Sequence, residues 1–197
     1  MSNKRAFSLI EILIVLAILG MIAGIGIPQI NRIFRANLKS ASVRISGLIR
    51  FAYDSSIVKG SIHRIVFDFE NKNYRLEVSN VNELVYMEEE SSESDKKEED
   101  NDEDEVVEKV PVFSPSSGEA GKDTSLSVGV VFDSVENVSL NKKFTSDIAY
   151  MYFFPQGMTQ NIIIRLKSEK GETGFYSIQV NPINAKTKIE GRYIEAK

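Results

Sequence analysis

The feature that most constrains this chain is a run of twenty residues, Ile12 to Asn31, without a single charged side chain and entered directly from a glutamate, Glu11. As a helix rising ~1.5 Å per residue, the run reaches about 30 Å, the hydrocarbon thickness of a bilayer. A carboxylate inside such a helix is costly. Insertion scales give about 2.5–3.5 kcal/mol for Asp, Lys or Arg at the centre of a membrane helix, so an ionisable group there is read as functional. A positive partner would relieve the cost. Cutting the chain after Ala6 would create one, because it leaves an α-amino group on Phe7, one helical turn from Glu11.

Two plainer readings compete. An ordinary secretory signal has an apolar core of roughly 7–15 residues followed by a small-residue cleavage site. Gly24-Ile25-Gly26 imitates such a site, but Glu11 would then sit in the apolar core. A simple signal anchor leaves Glu11 without a purpose.

The chain has 197 residues, enough for one ordinary globular domain beside the apolar helix. It contains no Cys, which excludes disulfides, thiol chemistry and Cys-based zinc sites. The net charge of −4 hides an asymmetry. Residues 88–105 hold 12 acidic and 2 basic side chains, a charge of −10, which leaves +6 for the remainder.

Lys4 and Arg5 precede the apolar run, and Arg32, Arg35 and Lys39 follow it, so counting cations does not orient the segment. Gly20, Gly24, Gly26 and Pro28 cluster in its second half. Pro28 lacks an N–H and crowds the carbonyl four residues back, which predicts a kink or loosening of the helix. Beyond it, apolar residues recur at helical spacing: Ile30, Ile33, Phe34, Leu38, Ala41, Ile45, Leu48, Ile49 and Ala52. Arg32, Arg35, Lys39, Arg44 and Arg50 occupy the other face. This predicts an amphipathic helix ending near Gly60, with an apolar stripe that needs cover.

From His63 the period becomes two. Ile65, Phe67 and Phe69, then Tyr74, Leu76 and Val78, flank the turn Glu70-Asn71-Lys72-Asn73 and predict a β-hairpin. His63 is the only histidine and has no second ligand type at metal spacing nearby, so it is expected on the surface. Residues 88–125 are first acidic and then turn-rich, which predicts a disordered insertion. Val106, Val107, Val110, Val112 and Phe113 form a short apolar island within it, a candidate for an added strand. Clustered carboxylates suit Ca²⁺, yet the EF-hand spacing with its central Gly is absent. Further strands are expected at Val128–Phe132, Ile148–Phe154, Asn161–Lys167, Phe175–Val180 and Lys188–Ile194, punctuated by turns, as an antiparallel sheet.

Met1 to Ala6, with Phe7-Ser8-Leu9-Ile10-Glu11 behind it, resembles the leader of type IV pilins and type II secretion pseudopilins, with Ala6 where Gly is usual. Arg50-Phe51-Ala52-Tyr53, Arg64-Ile65-Val66-Phe67 and Phe154-Pro155-Gln156-Gly157 are similar to the minor pseudopilins of the general secretion pathway protein H type and to FimT-related minor pilins. The acidic insertion is foreign to that pattern. The resemblance implies a pilin-like α+β fold, a long N-terminal helix (transmembrane half plus amphipathic half) packed on an antiparallel β-sheet domain. It divides the chain into a cleaved leader 1–6, a transmembrane helix 7–28, an amphipathic helix 29–60 and a β-rich domain 61–197 carrying the insertion 88–125. A prepilin peptidase is implied as a partner, cutting between Ala6 and Phe7 with N-methylation of Phe7. Leu9 and Glu11 would act in assembly with other pilin or pseudopilin subunits. The protein is expected to cross the inner membrane once, with a cytoplasmic N-terminus and a periplasmic domain.

The expected function is therefore structural, a minor subunit of a type II secretion pseudopilus. A FimT-type minor pilin of a type IV pilus, binding DNA for uptake, is the alternative. DNA binding would need a basic patch with aromatics. Lys186, Lys188, Arg192, Tyr193 and Lys197 come nearest, but Glu190 and Glu195 interrupt them, so no nucleic-acid partner is expected. No nucleophile triad, phosphate loop or metal-ligand spacing is evident, so no enzymatic activity, cofactor or metal is expected.

Overall fold

A computed structural model describes residues 8–80, 112–170 and 174–196, and of residues 23–33 the backbone alone. Its first element is one helix, α1, Leu9–Lys59, 51 residues long and continuous through position 28. In its second half the apolar residues return every three or four positions. Leu38, Ala41, Ile45, Ile49 and Ala52 thereby share one face, each at most 1% exposed. The helix stops where Gly60 turns left-handed (φ 60°), and the amides of Gly60 and Ser61 donate back to Ile57 and Ser56.

Eleven strands follow among the described residues: β1 His63–Asp68, β2 Asn73–Ser79, β3 Phe113–Pro115, β4 Thr124–Ser125, β5 Val130–Asn137, β6 Lys142–Phe144, β7 Ile148–Phe154, β8 Met158–Thr159, β9 Ile162–Ser168, β10 Phe175–Val180 and β11 Thr187–Glu190. They form two antiparallel sheets. The first has the order β3-β2-β1-β7-β8, with β4 also on β2, and the second β11-β10-β9-β5-β6. α1 packs on β1 and β7 of the first sheet and on β5, β9, β10 and β11 of the second. Strand alternation sends Ile65, Phe67, Leu76, Met151 and Phe153 inward from the first sheet, and Phe132, Ile164, Leu166 and Ile178 from the second. The Phe132 ring meets Phe67 edge-on at 5.6 Å and Phe69 at 5.5 Å, which joins the sheets directly. Each such side chain, fully buried, contributes about 1.5–3 kcal/mol.

Polar contacts fix the helix along its length. Asn37 donates to the Val128 carbonyl at 3.0 Å, and the Tyr53 hydroxyl reaches the carbonyls of Gly157 (2.9 Å) and Ile183 (3.1 Å). Gly129 has φ 76°, and a Cβ there would lie 2.4 Å from the Phe34 ring, so the loop before β5 approaches α1 as only glycine permits.

Two expectations need correction, and a third is sharpened. The expected antiparallel strands divide between two sheets. Alternation tells which residues face inward, but the partner of each strand depends on contacts far away in sequence. The insertion 88–125 is not wholly disordered, because its end is folded onto β2. There β3, a 3-10 turn at Glu119–Gly121 and β4 are formed. Arg64 lies 3.9 Å from the Phe113 ring, and Arg75 holds Asp123 at 3.1 Å, so long-range cation contacts retain a turn-rich segment with little apolar content of its own. The acidic stretch 88–105, with Val106 to Val110, lies outside the described residues. Finally, His63 is buried, not on the surface. It begins a strand flanked on both sides, opposite Val78 of β2 and Phe153 of β7, on the same inward parity as Ile65 and Phe67.

Candidate functional site

The two ends of the described chain carry the distinctive chemistry. At the N-terminal end, every described side chain from Ser8 to Ile22 is exposed, and all but Glu11 are uncharged. Ser8 is the extended residue before the helix (φ −74°, ψ 143°), and its side chain makes no capping bond. Its carbonyl accepts the amides of Glu11 (3.0 Å) and Ile12 (3.3 Å). Glu11 therefore sits in the first turn, where the unpaired amides and the helix dipole favour a negative charge. Among the described residues no side chain pairs with its carboxylate. The arrangement is an acid at the positive end of an apolar rod, open to whatever surrounds it.

Of the sequence-predicted residues, Ala6 and Phe7 lie outside the described residues. Leu9 and Glu11 fall in the first turn of α1, both exposed. Position 28 lies within α1, whose backbone runs on past it. Among the described residues no helix is long and apolar enough to cross a membrane. The apolar run 12–31 extends into positions 23–33, where only the backbone is described.

The sequence-predicted basic residues do not converge. Arg44 bonds the Ser127 hydroxyl, and Arg50 pairs with Asp54 one turn on at 3.0 Å. At the C-terminal end Lys188 and Arg192 both pair with Glu190, each at 2.7 Å. These two bonds hold the Glu190 carboxyl below its usual range. Tyr193 packs edge-on against Phe175 at 5.2 Å, and its ring lies 4.7 Å from the Arg165 guanidinium. Lys197 lies outside the described residues.

Sequence reasoning missed Arg165. It is 1% exposed, paired with Glu136 at 2.6 Å and bonded to the Ser134 hydroxyl at 3.2 Å. A signal was present, because an arginine amid Ile162, Ile163, Ile164 and Leu166 is out of keeping with its strand. His63 is a further buried ionisable group. Its Nδ1 lies 3.0 Å from the Ser61 carbonyl, which can only accept, so Nδ1 carries the proton. Nε2 has no partner. Burial pushes the imidazole below its ordinary value of 6.5, and Lys59 adds to this, while the Ser61 bond opposes it. His63 is thus neutral at pH 7. Among the described residues no acidic, His or Cys side chains are grouped as metal ligands.

One comparison with known proteins falls at the N-terminal end of the chain. The family described as "Prokaryotic N-terminal methylation motif" matches residues 1–27. A comparison with curated proteins found no match. Two solved structures of the minor pseudopilin EpsH from the type II secretion system of Vibrio cholerae are similar in fold. One has 9% identity over 79% of this chain and 97% of that one, with a TM-score of 0.49. The other has 8% identity over 82% and 98%, with a TM-score of 0.47. In its N-terminal motif, and in a helix packed on antiparallel sheets, the chain is similar to type IV pilin-like proteins.

Proposed function

We propose that the protein is a structural subunit, without enzymatic activity, of a type II secretion pseudopilus, processed by a prepilin peptidase between Ala6 and Phe7. The observation that carries this reading is the methylation motif over residues 1–27, which ends in the apolar first half of α1, where Glu11 is the lone charge. The pseudopilus in particular rests on the resemblance of the residues around Tyr53, Val66 and Gln156 to minor pseudopilins.

In this reading the apolar half of α1 lies in the inner membrane, with the β-rich domain on the periplasmic side. Cleavage and methylation leave a cationic amine on Phe7. In the assembled fibre, Glu11 of one subunit pairs with the Phe7 ammonium of its neighbour while the apolar helices pack side by side. Away from water the attraction is strong and an unpaired Glu11 is costly, so the pair acts as a check on axial register. The helix dipole stabilises the carboxylate until that partner arrives.

The intact mass and N-terminal residue of protein extracted from membranes test the proposal. The expected product begins at a methylated Phe7. A fibre-incorporated chain that still begins at Met1 would overturn it. Glu11→Ala should insert into the membrane normally yet fail to enter the fibre, and normal incorporation would remove the register argument.

A further inference from the structure

The second sheet has a feature that assembly through α1 does not use. On its outer face, one row of in-register residues runs across four strands: Ser134 of β5, Arg165 of β9, Ser177 of β10 and Glu190 of β11. Ser134 and Ser177 are fully buried and Arg165 is nearly so. A bulge between Phe132 and Ser134 creates the alignment, for it shifts the register by one and brings Ser134 opposite Arg165. Burying an arginine costs several kcal/mol unless it is paired and its donors are used. Glu136 supplies the counter-charge, and Ser134 takes one donor.

The remaining capacity of the row is directed at main chain. Beyond β11 the chain turns back over this face. Arg165 Nε donates to the Ile194 carbonyl at 2.7 Å, Ser177 Oγ donates to the Arg192 carbonyl at 2.7 Å, and Ile194 N donates to Ser177 Oγ at 3.2 Å. Between these contacts the Tyr193 ring sits against Arg165 and Phe175. Residues 191–193 are themselves exposed, whereas the groups they bond are buried. The row thus recognises two carbonyls, one amide and one aromatic ring of an extended segment, and its Glu190 also pairs with the Arg192 side chain at 2.7 Å.

We propose that the polar row is a binding site for an extended peptide, occupied in cis by residues 192–194, and that it accepts the same C-terminal segment from a second copy of this chain when its own is displaced. The site asks for an extended backbone with one aromatic between two main-chain contacts and a cation opposite Glu190, all of which each copy carries. Such recognition is strand-like in its use of main chain but runs across the face of the sheet and not along its edge.

The test uses the chain in detergent with a fluorescein-labelled peptide spanning residues 191–197. Two receptors are prepared, one ending after Glu190 and one full-length carrying Tyr193→Ala, each checked for folding by circular dichroism. Saturable binding, read by fluorescence anisotropy, is expected with either folded receptor and not with the unaltered chain. Adding Ser177→Ala to the receptor, or Tyr193→Ala to the peptide, should weaken binding at least tenfold. Absence of binding to both receptors would overturn the proposal, as would equal binding of the Tyr193→Ala peptide. Should the shortened chain fail to fold, the full-length receptor decides. Hydrogen exchange on the unaltered chain provides a second reading: the Ile194 amide should be protected, and Ser177→Ala should raise its exchange at least tenfold. An amide that is unprotected, or protected equally in both, would refute the site.

Discussion

The two halves of α1 belong to one unbroken helix and live in opposite circumstances. From Leu9 to Ile22 every side chain is exposed, although nearly all are apolar. From Leu38 to Ala52 one face is sealed under two sheets and the other carries Arg44, Gly47 and Arg50 into solvent. Soluble monomers rarely expose so much contiguous apolar surface. The second half is therefore folded by its own chain, whereas the first is shaped for surroundings that the chain does not supply. Stability of the domain should depend on the second half alone.

The largest test of that division is Ile45→Asp, which places a charge at a fully buried position on the helix. It should cost more than about 4 kcal/mol and abolish the cooperative thermal transition of the detergent-solubilised chain. Survival of that transition would mean that the sheets fold without α1. Next comes Glu136→Gln, which leaves Arg165 buried beside a neutral partner. A loss of about 3 kcal/mol is expected in urea titrations, and a negligible loss would show the pair to be solvated.

A smaller, pH-dependent effect should come from His63, beside the C-terminal end of the helix. Unfolded, it titrates near 6.5, and folded it titrates lower because burial disfavours the charge. Between those values the unfolded state binds more protons. Stability is therefore complete above 6.5 and falls as pH drops through the window below it. His63→Gln should flatten that part of the stability–pH curve, and an unchanged slope would locate the acid sensitivity elsewhere.

Gly47 offers a gain. A Cβ added there meets nothing within 4 Å, so Gly47→Ala should stabilise the domain by about 0.5–1 kcal/mol through helix propensity. Smallest of all, Leu13→Ala should leave domain unfolding within about 0.5 kcal/mol. A loss of more than that would erase the contrast between the halves.

Much of the architecture was legible because it is periodic. The 3.5-residue spacing of Leu38, Ala41, Ile45, Ile49 and Ala52 predicts the buried stripe, and the alternation around Glu70-Asn71-Lys72-Asn73 predicts the hairpin β1–β2. The expected strands at Ile148–Phe154 and Phe175–Val180 have the observed bounds. Short elements were not legible. β3, β4, β6 and β8 have two or three residues each, too few to show a period, and they exist because a neighbouring strand offers bonds. His63 and Arg165 escaped for a related reason. A polar residue in a strand reads as surface unless the partners that neutralise or tolerate it are known, and these come from residues as distant as Phe153 and Ile194.

By itself, the sequence determined what depends on neighbours along the chain. These are the apolar run with its single acid, the helix stop at Gly60, the period-two strands and the absence of any thiol. Tertiary structure alone decided how the strands divide into two sheets, which polar groups are buried, and that the C-terminal segment returns across the row at Arg165. The physical reason is range. Periodicity and capping are settled within a few residues, but burial and strand pairing are shared between segments a hundred residues apart and exist only once those segments meet.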